Sequence, residues 1–346
     1  MLPVIDSCGT IGVRTTGIDF YQGLMDFVTT LPENASIAIT IGNFDGIHRG
    51  HQCLLHQLER IAQSLACTPV IVTFSPHTLL VVRPTIQLEC LTTLEEKLEL
   101  AARCCGIAES IVIHFTKDVA ALTAGEFLDE LRARFDIRAM VVGTDFSLGH
   151  NRMGNIPFLQ EYGREYGISI VPIELEEAER ARISSTRIRS LVSEGQIIEA
   201  NELLGHPVVV SGMVIHGDQR GRLLGFPTAN LLPEPHKLVP ADGIYAARVQ
   251  IEDMAESDAI DQLPVSYTEK TWNSVVYIGV RPTFGEQQRL VEAHLLDVQL
   301  DLYDKRIHID FLARLRGDQH FDGIEALKTQ MAFDAQQARQ LLQNGG

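Results

Sequence analysis

The chain has 346 residues, 45% of them apolar and 21% charged, a globular composition whose length favours two domains over one. Its 45 acidic residues outnumber 29 basic ones for a net charge of -16, which argues against a nucleic-acid partner, because that affinity needs a concentrated basic footprint. Six cysteines (Cys8, Cys53, Cys67, Cys90, Cys104 and Cys105) contain no Cys-x-x-Cys spacing and read as reduced thiols of a cytoplasmic protein, not a disulfide framework or zinc site.

The first 20 residues show no charged segment followed by an apolar one, so no signal peptide is expected. No stretch approaches 18 continuous apolar residues, so no membrane span is expected either. Short apolar runs then alternate with amphipathic stretches. Strands are expected at 37–41, 70–74, 110–114, 139–142 and 169–172, and helices near 51–66, 94–104, 125–135 and 157–166. That alternation predicts an α/β domain, a parallel sheet with helices on its faces, over residues 20–186. Ligands of such sheets bind beyond the carboxyl ends of the strands.

A helical linker is expected over 187–205, and the rhythm changes after it. Apolar runs at 208–215, 244–250, 274–278, 290–296 and 306–311 have no long helices between them, and Gly and Pro punctuate the gaps. This pattern predicts a small antiparallel β-barrel or sandwich over 206–346. A terminal helix closes it, with Ile324, Leu327, Met331, Ala335, Ala338 and Leu342 along one face. Residues 251–272 read as a polar, acidic loop.

Two constellations carry chemistry. In the first, the run Gly42-Asn43-Phe44-Asp45-Gly46-Ile47-His48-Arg49-Gly50-His51 joins a strand to a helix. Free main-chain N–H groups and the positive end of the helix dipole suit a phosphate there, and glycines let the main chain approach it closely. His48 and His51 can donate to phosphate oxygens as charge builds on a leaving pyrophosphate. Gly143-Thr144-Asp145-Phe146 follows another strand and reaches the same edge of the sheet. Ser184, Ser185, Thr186 and Arg189 stand where a helix begins; they read either as caps or as a second jaw around a triphosphate. His48, His51 and His56 could alternatively bind a metal, although 51 and 56 do not share a helix face.

In the second constellation Gly212, Gly217, Gly221 and Gly225 are followed by Phe226-Pro227-Thr228-Ala229-Asn230. No Gly-Lys-Ser/Thr closes the run, so it is not a P-loop. Barrels use glycines at tight turns in any case. Thr228 and Asn230 are neutral oxygen ligands two apart, which on a strand point the same way and could hold a magnesium ion that bridges ATP phosphates. Glu292 sits on an alternating strand and is either a carboxylate presented beside that metal or a solvent-facing residue.

Gly-Asn-Phe-Asp-Gly-x-His-x-Gly-His, Gly-x-Asp-Phe-x-x-Gly and Ile-Ser-Ser-Thr-x-Ile-Arg resemble the front half of the bacterial bifunctional riboflavin kinase/FAD synthetase family. Gly-Arg-x-Leu-Gly-Phe-Pro-Thr-Ala-Asn-Leu at 221–231, Gly-Ile-Tyr-Ala at 243–246, Ile-Gly-Val-Arg-Pro-Thr-Phe at 278–284, Glu-Ala-His-Leu-Leu-Asp at 292–297 and Asp-Leu-Tyr at 301–303 resemble its kinase module. The resemblance implies a Rossmann-like nucleotidyltransferase domain followed by a six-stranded antiparallel barrel. It implies that Gly42, Asn43, Phe44, Asp45, Gly46, His48, Gly50, His51, Gly143, Asp145, Ser184, Ser185, Thr186 and Arg189 hold ATP for adenylylation of FMN to FAD. In the kinase half it assigns Gly212, Gly217, Gly221, Arg222, Gly225, Pro227 and Arg281 to ATP and flavin, Thr228 and Asn230 to Mg2+, and Glu292 to deprotonation of riboflavin. The expected partners are therefore small molecules. Leu148, Tyr277 and Asp304 depart from the family pattern, which has an aromatic residue, asparagine and glycine there; the 251–272 loop is longer than usual. Another His-x-Gly-His nucleotidyltransferase, an aminoacyl-tRNA synthetase and an inactive flavin-binding regulator are the competing readings.

Overall fold

The computed structural model describes residues 4–5, 11–12, 19–21, 24–174, 183–216, 225–252, 270–283 and 286–344. Gly217, Gly221 and Arg222, and residues 253–269 of the long loop, lie outside the described residues, as do most of the first 20. The chain forms two compact units, one built on residues up to Leu88 and on Lys97–Ile183, the other on Glu89–Glu96 and the chain from Ser184 onward.

Beside a short antiparallel ribbon of β1 (Val4–Ile5) and β2 (Ile11–Gly12), the first unit is a seven-stranded sheet. Its strands are β3 (Asp19–Tyr21), β4 (Phe27–Thr29), β5 (Ser36–Ile41), β6 (Thr68–Ser75), β7 (Glu109–His114), β8 (Asp136–Gly143) and β9 (Ser169–Ile173). They are ordered β3-β4-β7-β6-β5-β8-β9. The five strands expected from periodicity are the five that pair in parallel. Five of the six residues of β5 are buried, because helices cover both faces of a parallel sheet. The flanking strands β3 and β4 pair antiparallel with each other, and β4 with β7; they escaped the sequence reading, since three residues are too few to set up a period.

The helices are α1 (Arg49–Ser64), α2 (Thr78–Val82), α3 (Leu94–Cys105), α4 (Lys117–Ala121), α5 (Ala124–Arg132) and α6 (Ile156–Tyr166). Local sequence sets their ends. Thr123 and Glu126 form a reciprocal capping box on α5, and Asn155 accepts the Phe158 N–H at the start of α6, each satisfying helix donors that lack a partner within the helix. The core of this unit gathers Ile37, Ile39, Val70, Val72, Ile111, Leu128, Leu131 and Met140.

The second unit begins with α7 (Ser185–Glu194) and α8 (Ile197–Leu204). The stretch expected as one helical linker is thus two helices, parted where Gly195 turns left-handed at φ 76°, a conformation glycine adopts without strain. Six strands follow: β10 (Val208–Ile215), β11 (Ala229–Leu231), β12 (Gly243–Ile251), β13 (Trp272–Thr283), β14 (Glu286–Leu295) and β15 (Arg306–Arg316). They close into a barrel in the order β10-β11-β14-β13-β12-β15, all antiparallel. Closure removes the exposed edges that an open sheet must protect. Tyr245 and Phe311 are fully buried in it, edge to face with ring centroids 5.4 Å apart.

The terminal helix α9 (Ile324–Asn344) is present, but its expected apolar face is only partly covered. Ala335, Ala338 and Leu342 are buried in a cluster with Ala246 and Leu296, whereas Ile324 is 61% exposed. Leu327 and Met331 between them are half-buried, so cover fails only at the start of the helix.

Candidate active sites

In the first unit β5 delivers the chain into the 42–51 turn, and α1 leaves it. His48 is the N-cap of α1: its Nδ1 accepts the His51 N–H at 3.3 Å. An accepting Nδ1 carries no proton, so the neutral ring bears its hydrogen on Nε2. The rings of His48 and His51 stack with centroids 3.6 Å apart and planes 15° from parallel, and Phe44 meets His51 edge-on at 5.2 Å. Burial, then the charges of His48 and Lys97, hold His51 well below the ordinary imidazole value of 6.5. The site therefore presents a neutral His51 at physiological pH.

Glycines do particular work in this turn. Gly46 has φ 86°. A Cβ at Gly50 would stand 3.3 Å from the His48 ring, and one at Gly42 would stand 3.1 Å from Phe44. Phe44 and Ile47 themselves adopt positive φ, 49° and 38°, and both are buried. Asn43 pairs reciprocally with Thr78: its Nδ2 donates to Thr78 Oγ1 at 2.9 Å, and its Oδ1 accepts the Thr78 N–H at 3.2 Å. Asp45 is buried, 3% exposed, within the turn. Gly143 ends β8, the strand beside β5, so the 42–51 turn and Asp145 leave the sheet by the same carboxyl edge. Leu148, where the family pattern has an aromatic residue, is buried and bridges to Gly154; the loop packs on an aliphatic side chain.

Ser184, Ser185, Thr186 and Arg189 belong to the second unit. Ser184 caps α7 by accepting the Arg187 N–H at 3.3 Å, and Ser185 and Thr186 lie in the first turn behind it. The capping role noted from sequence is therefore realised. It leaves the hydroxyl-rich first turn at the positive end of α7.

The barrel brings its three proposed chemical residues together. Asn230 on β11 faces Glu292 on β14 in register, and the Thr228 hydroxyl donates to Glu292 Oε2 at 3.3 Å. Asn230 is 4% exposed, and its Oδ1 is buried with no donor among the described residues reaching it. A buried amide oxygen left without a donor is costly and suits a cation ligand. Pro227 O accepts from His294 Nδ1 at 2.8 Å, fixing the approach to Thr228. Tyr277 is also opposite Glu292, on β13.

A cavity of about 420 Å³ adjoins this group, lined by Gly225, Pro227, Thr228, Ala229, Ala293 and the 298–303 segment among others. Asn230 and Glu292 do not line it; the strand alternation turns them to the opposite face from Ala229 and Ala293. Thr228 alone touches both. Gly212 lies on β10, where a Cβ would meet Leu232 O at 3.0 Å, and Gly225 takes φ 88°. Arg281 lies on β13 opposite Gln288. Sequence reasoning missed Thr78, Thr73 and Lys97, which are far from the turn in sequence and belong to no motif. Among the described residues no group of three or more His, Cys, Asp or Glu side chains is placed to hold a metal ion.

The FAD synthetase family model matches residues 30–187 and the riboflavin kinase model residues 204–342. The chain is 36% identical over 303 residues to the bifunctional riboflavin kinase/FMN adenylyltransferase of Escherichia coli K12, covering 87% of this chain and 91% of that one. The Pseudomonas fluorescens protein of the same name is 33% identical over 317 residues, covering 90% and 94%. A crystal structure described as a macrolide-efflux protein from Streptococcus pneumoniae superposes with a TM-score of 0.74 at 28% identity, over 89% of this chain and 95% of that one. Among the described residues no helix is long and apolar enough to cross a membrane. With both halves matched in order and more than nine-tenths of its relatives' length covered, the chain belongs to the bifunctional riboflavin kinase/FMN adenylyltransferase family.

Proposed function

We propose that this bifunctional riboflavin kinase and FMN adenylyltransferase divides its two reactions between the sites described above. In the barrel, Glu292 accepts the proton of the ribityl 5'-hydroxyl of riboflavin, and that oxygen attacks the γ-phosphorus of ATP to give FMN and ADP. In the first unit, an FMN phosphate oxygen attacks the α-phosphorus of a second ATP, giving FAD and pyrophosphate. The observation that carries the kinase assignment is the meeting of Thr228, Asn230 and Glu292 from two paired strands.

A carboxylate within hydrogen-bond reach of an alcohol is a competent base. Thr228 Oγ1 and Asn230 Oδ1 are the ligands this chain offers a magnesium ion, and the orphaned Asn230 oxygen fits that assignment. When bound, the ion would neutralise charge on the phosphates being transferred. Gly212, Gly225, Pro227 and Arg281 serve ATP and flavin in this reading, and the family motif adds Gly217, Gly221 and Arg222, which lie outside the described residues.

For adenylyl transfer no covalent enzyme intermediate is needed. Gly42, Asn43, Phe44, Asp45, Gly46 and Gly50 shape the turn, and its N–H groups with the α1 dipole receive phosphate. His48, with its proton on Nε2, and neutral His51 donate to the oxygens on which charge grows. Gly143 and Asp145 border the nucleotide in this reading, and the family motif assigns Ser184, Ser185, Thr186 and Arg189 to its phosphates. The cysteines, reduced thiols among the described residues, support a cytoplasmic location.

The test is turnover of purified protein with riboflavin, ATP and magnesium, with riboflavin, FMN and FAD separated by chromatography. His51→Ala should stop at FMN. Loss of both products in that variant would contradict two separate sites.

A further inference from the structure

Lys97 of α3 is 5% exposed, and its Nζ donates to Thr73 Oγ1 at 3.2 Å. Thr73, wholly buried on β6, donates in turn to the main-chain carbonyl of Asn43 at 3.4 Å. Asn43 is also held through its side chain by Thr78, and the Gly42 N–H donates to Val72 O at 3.0 Å. The opening of the 42–51 turn is thus fixed to β6 and α2, with Lys97 at the head of the chain of bonds. Burying an ammonium is costly, and a methionine would fill similar space without that cost. The placement therefore asks for a role beyond packing.

We propose that Lys97 is a positioning residue for adenylyl transfer, which sets the turn's main chain through Thr73 and adds a buried positive charge beside the two histidines. This rests on the reading that the 42–51 turn is the adenylylation site. A cation fixed near an incoming triphosphate favours its approach and needs no rearrangement when charge shifts to pyrophosphate. Its field also reaches His51: His48 from the same turn and Lys97 from α3 are the charged or titratable groups that lower the His51 pKa in addition to burial. Burial foremost, with the Lys97 charge adding to it, therefore keeps His51 neutral.

Three variants of the full chain test this. Lys97→Met should lower kcat for FAD formation from FMN by about 10- to 100-fold, the scale of a reacting group held out of place. It should also raise the His51 titration midpoint, read by NMR of labelled histidine, and move the acid limb of the FAD-forming pH profile upward. Thr73→Val should lower kcat similarly while leaving the His51 titration in place, because it breaks the relay and keeps the charge. His51→Ala is the control for the site itself: if it still forms FAD at the normal rate, the site reading fails. If His51→Ala is inactive while Lys97→Met makes FAD normally, only the Lys97 proposal falls. An unmoved His51 titration in Lys97→Met also overturns it. Should Lys97→Met lose its fold, full FAD-forming activity in Thr73→Val would overturn the positioning role.

Discussion

His48 and His51 lie ring on ring, 3.6 Å between centroids, with the His48 Nδ1 accepting the backbone N–H of His51. Burial is the main penalty on a charged His51, and two imidazoles this close cannot both carry charge cheaply. The consequence is a His51 that stays neutral well below the usual range.

Stability should follow from that shift. The unfolded chain takes up a proton on His51 near the ordinary value of 6.5, whereas the folded chain does so only at lower pH. Below about 6.5 the unfolded state thus binds more protons, and folding stability falls as pH decreases, by at most ~1.4 kcal/mol per pH unit for one proton. Urea midpoints at several pH values should show this acid slope reduced in His51→Gln. An unchanged slope would mean that His51 titrates normally in the fold.

Glu292 gives the sharpest separation of activities. Its carboxylate meets Thr228 through a hydrogen bond and Asn230 through strand register, all within the barrel. Glu292→Gln keeps the shape and removes the proposed base. FMN formation should fall by ~10²- to 10⁴-fold, while FAD formation from supplied FMN continues at its normal rate. Chromatography of the two product series measures both in one experiment.

These sites were legible in the sequence to different depths. Residues 42–51 declare themselves because glycine, histidine and a following helical period are contiguous, and β5 with α1 appears where that pattern puts it. Thr228, Asn230 and Glu292 are readable as types and spacings, but their meeting depends on β11 pairing with β14 across 60-odd residues, which no local pattern encodes. The Asn43–Thr78 pair and the Lys97–Thr73 bond are tertiary in the same way. The apolar period of α9 misled for the opposite reason: Ile324 keeps the helical spacing and still faces solvent. Period reports which residues share a face, and only the fold decides whether anything covers it.

Asp304 stands where the family pattern has glycine, and the backbone explains the preference: its φ is 60°, left-handed. The turn is held by Asp304 N–H to Val214 O at 3.3 Å and Lys305 N–H to Leu302 O at 3.2 Å. Aspartate tolerates this region better than most side chains, whereas alanine pays the full steric penalty. Asp304→Ala should therefore destabilise the chain by ~1 kcal/mol, and Asp304→Gly should cost nothing or stabilise slightly. Calorimetric melting of the two variants beside the wild type measures the difference. Equal losses in both would place the role of Asp304 in its carboxylate and not in its backbone.

Lys237 and Glu96 form a pair that solvent does not reach, 0% and 1% exposed by side chain, at 2.7 Å. Both partners make further bonds. Lys237 also donates to Leu91 O. Glu96 accepts the Ser211 N–H at 2.7 Å and the Thr93 N–H at 2.9 Å. These bonds are why Glu89–Glu96 packs with the barrel unit. Removing the lysine alone strands a carboxylate in a dry site, so Lys237→Met should cost ~3–5 kcal/mol. Adding Glu96→Gln should recover part of that loss. A neutral amide oxygen still accepts from Ser211, and no unpaired charge is left buried. Denaturant unfolding of the single and double variants decides it: a double variant less stable than Lys237→Met would show that Glu96 is worth more for its remaining hydrogen bonds than its stranded charge costs.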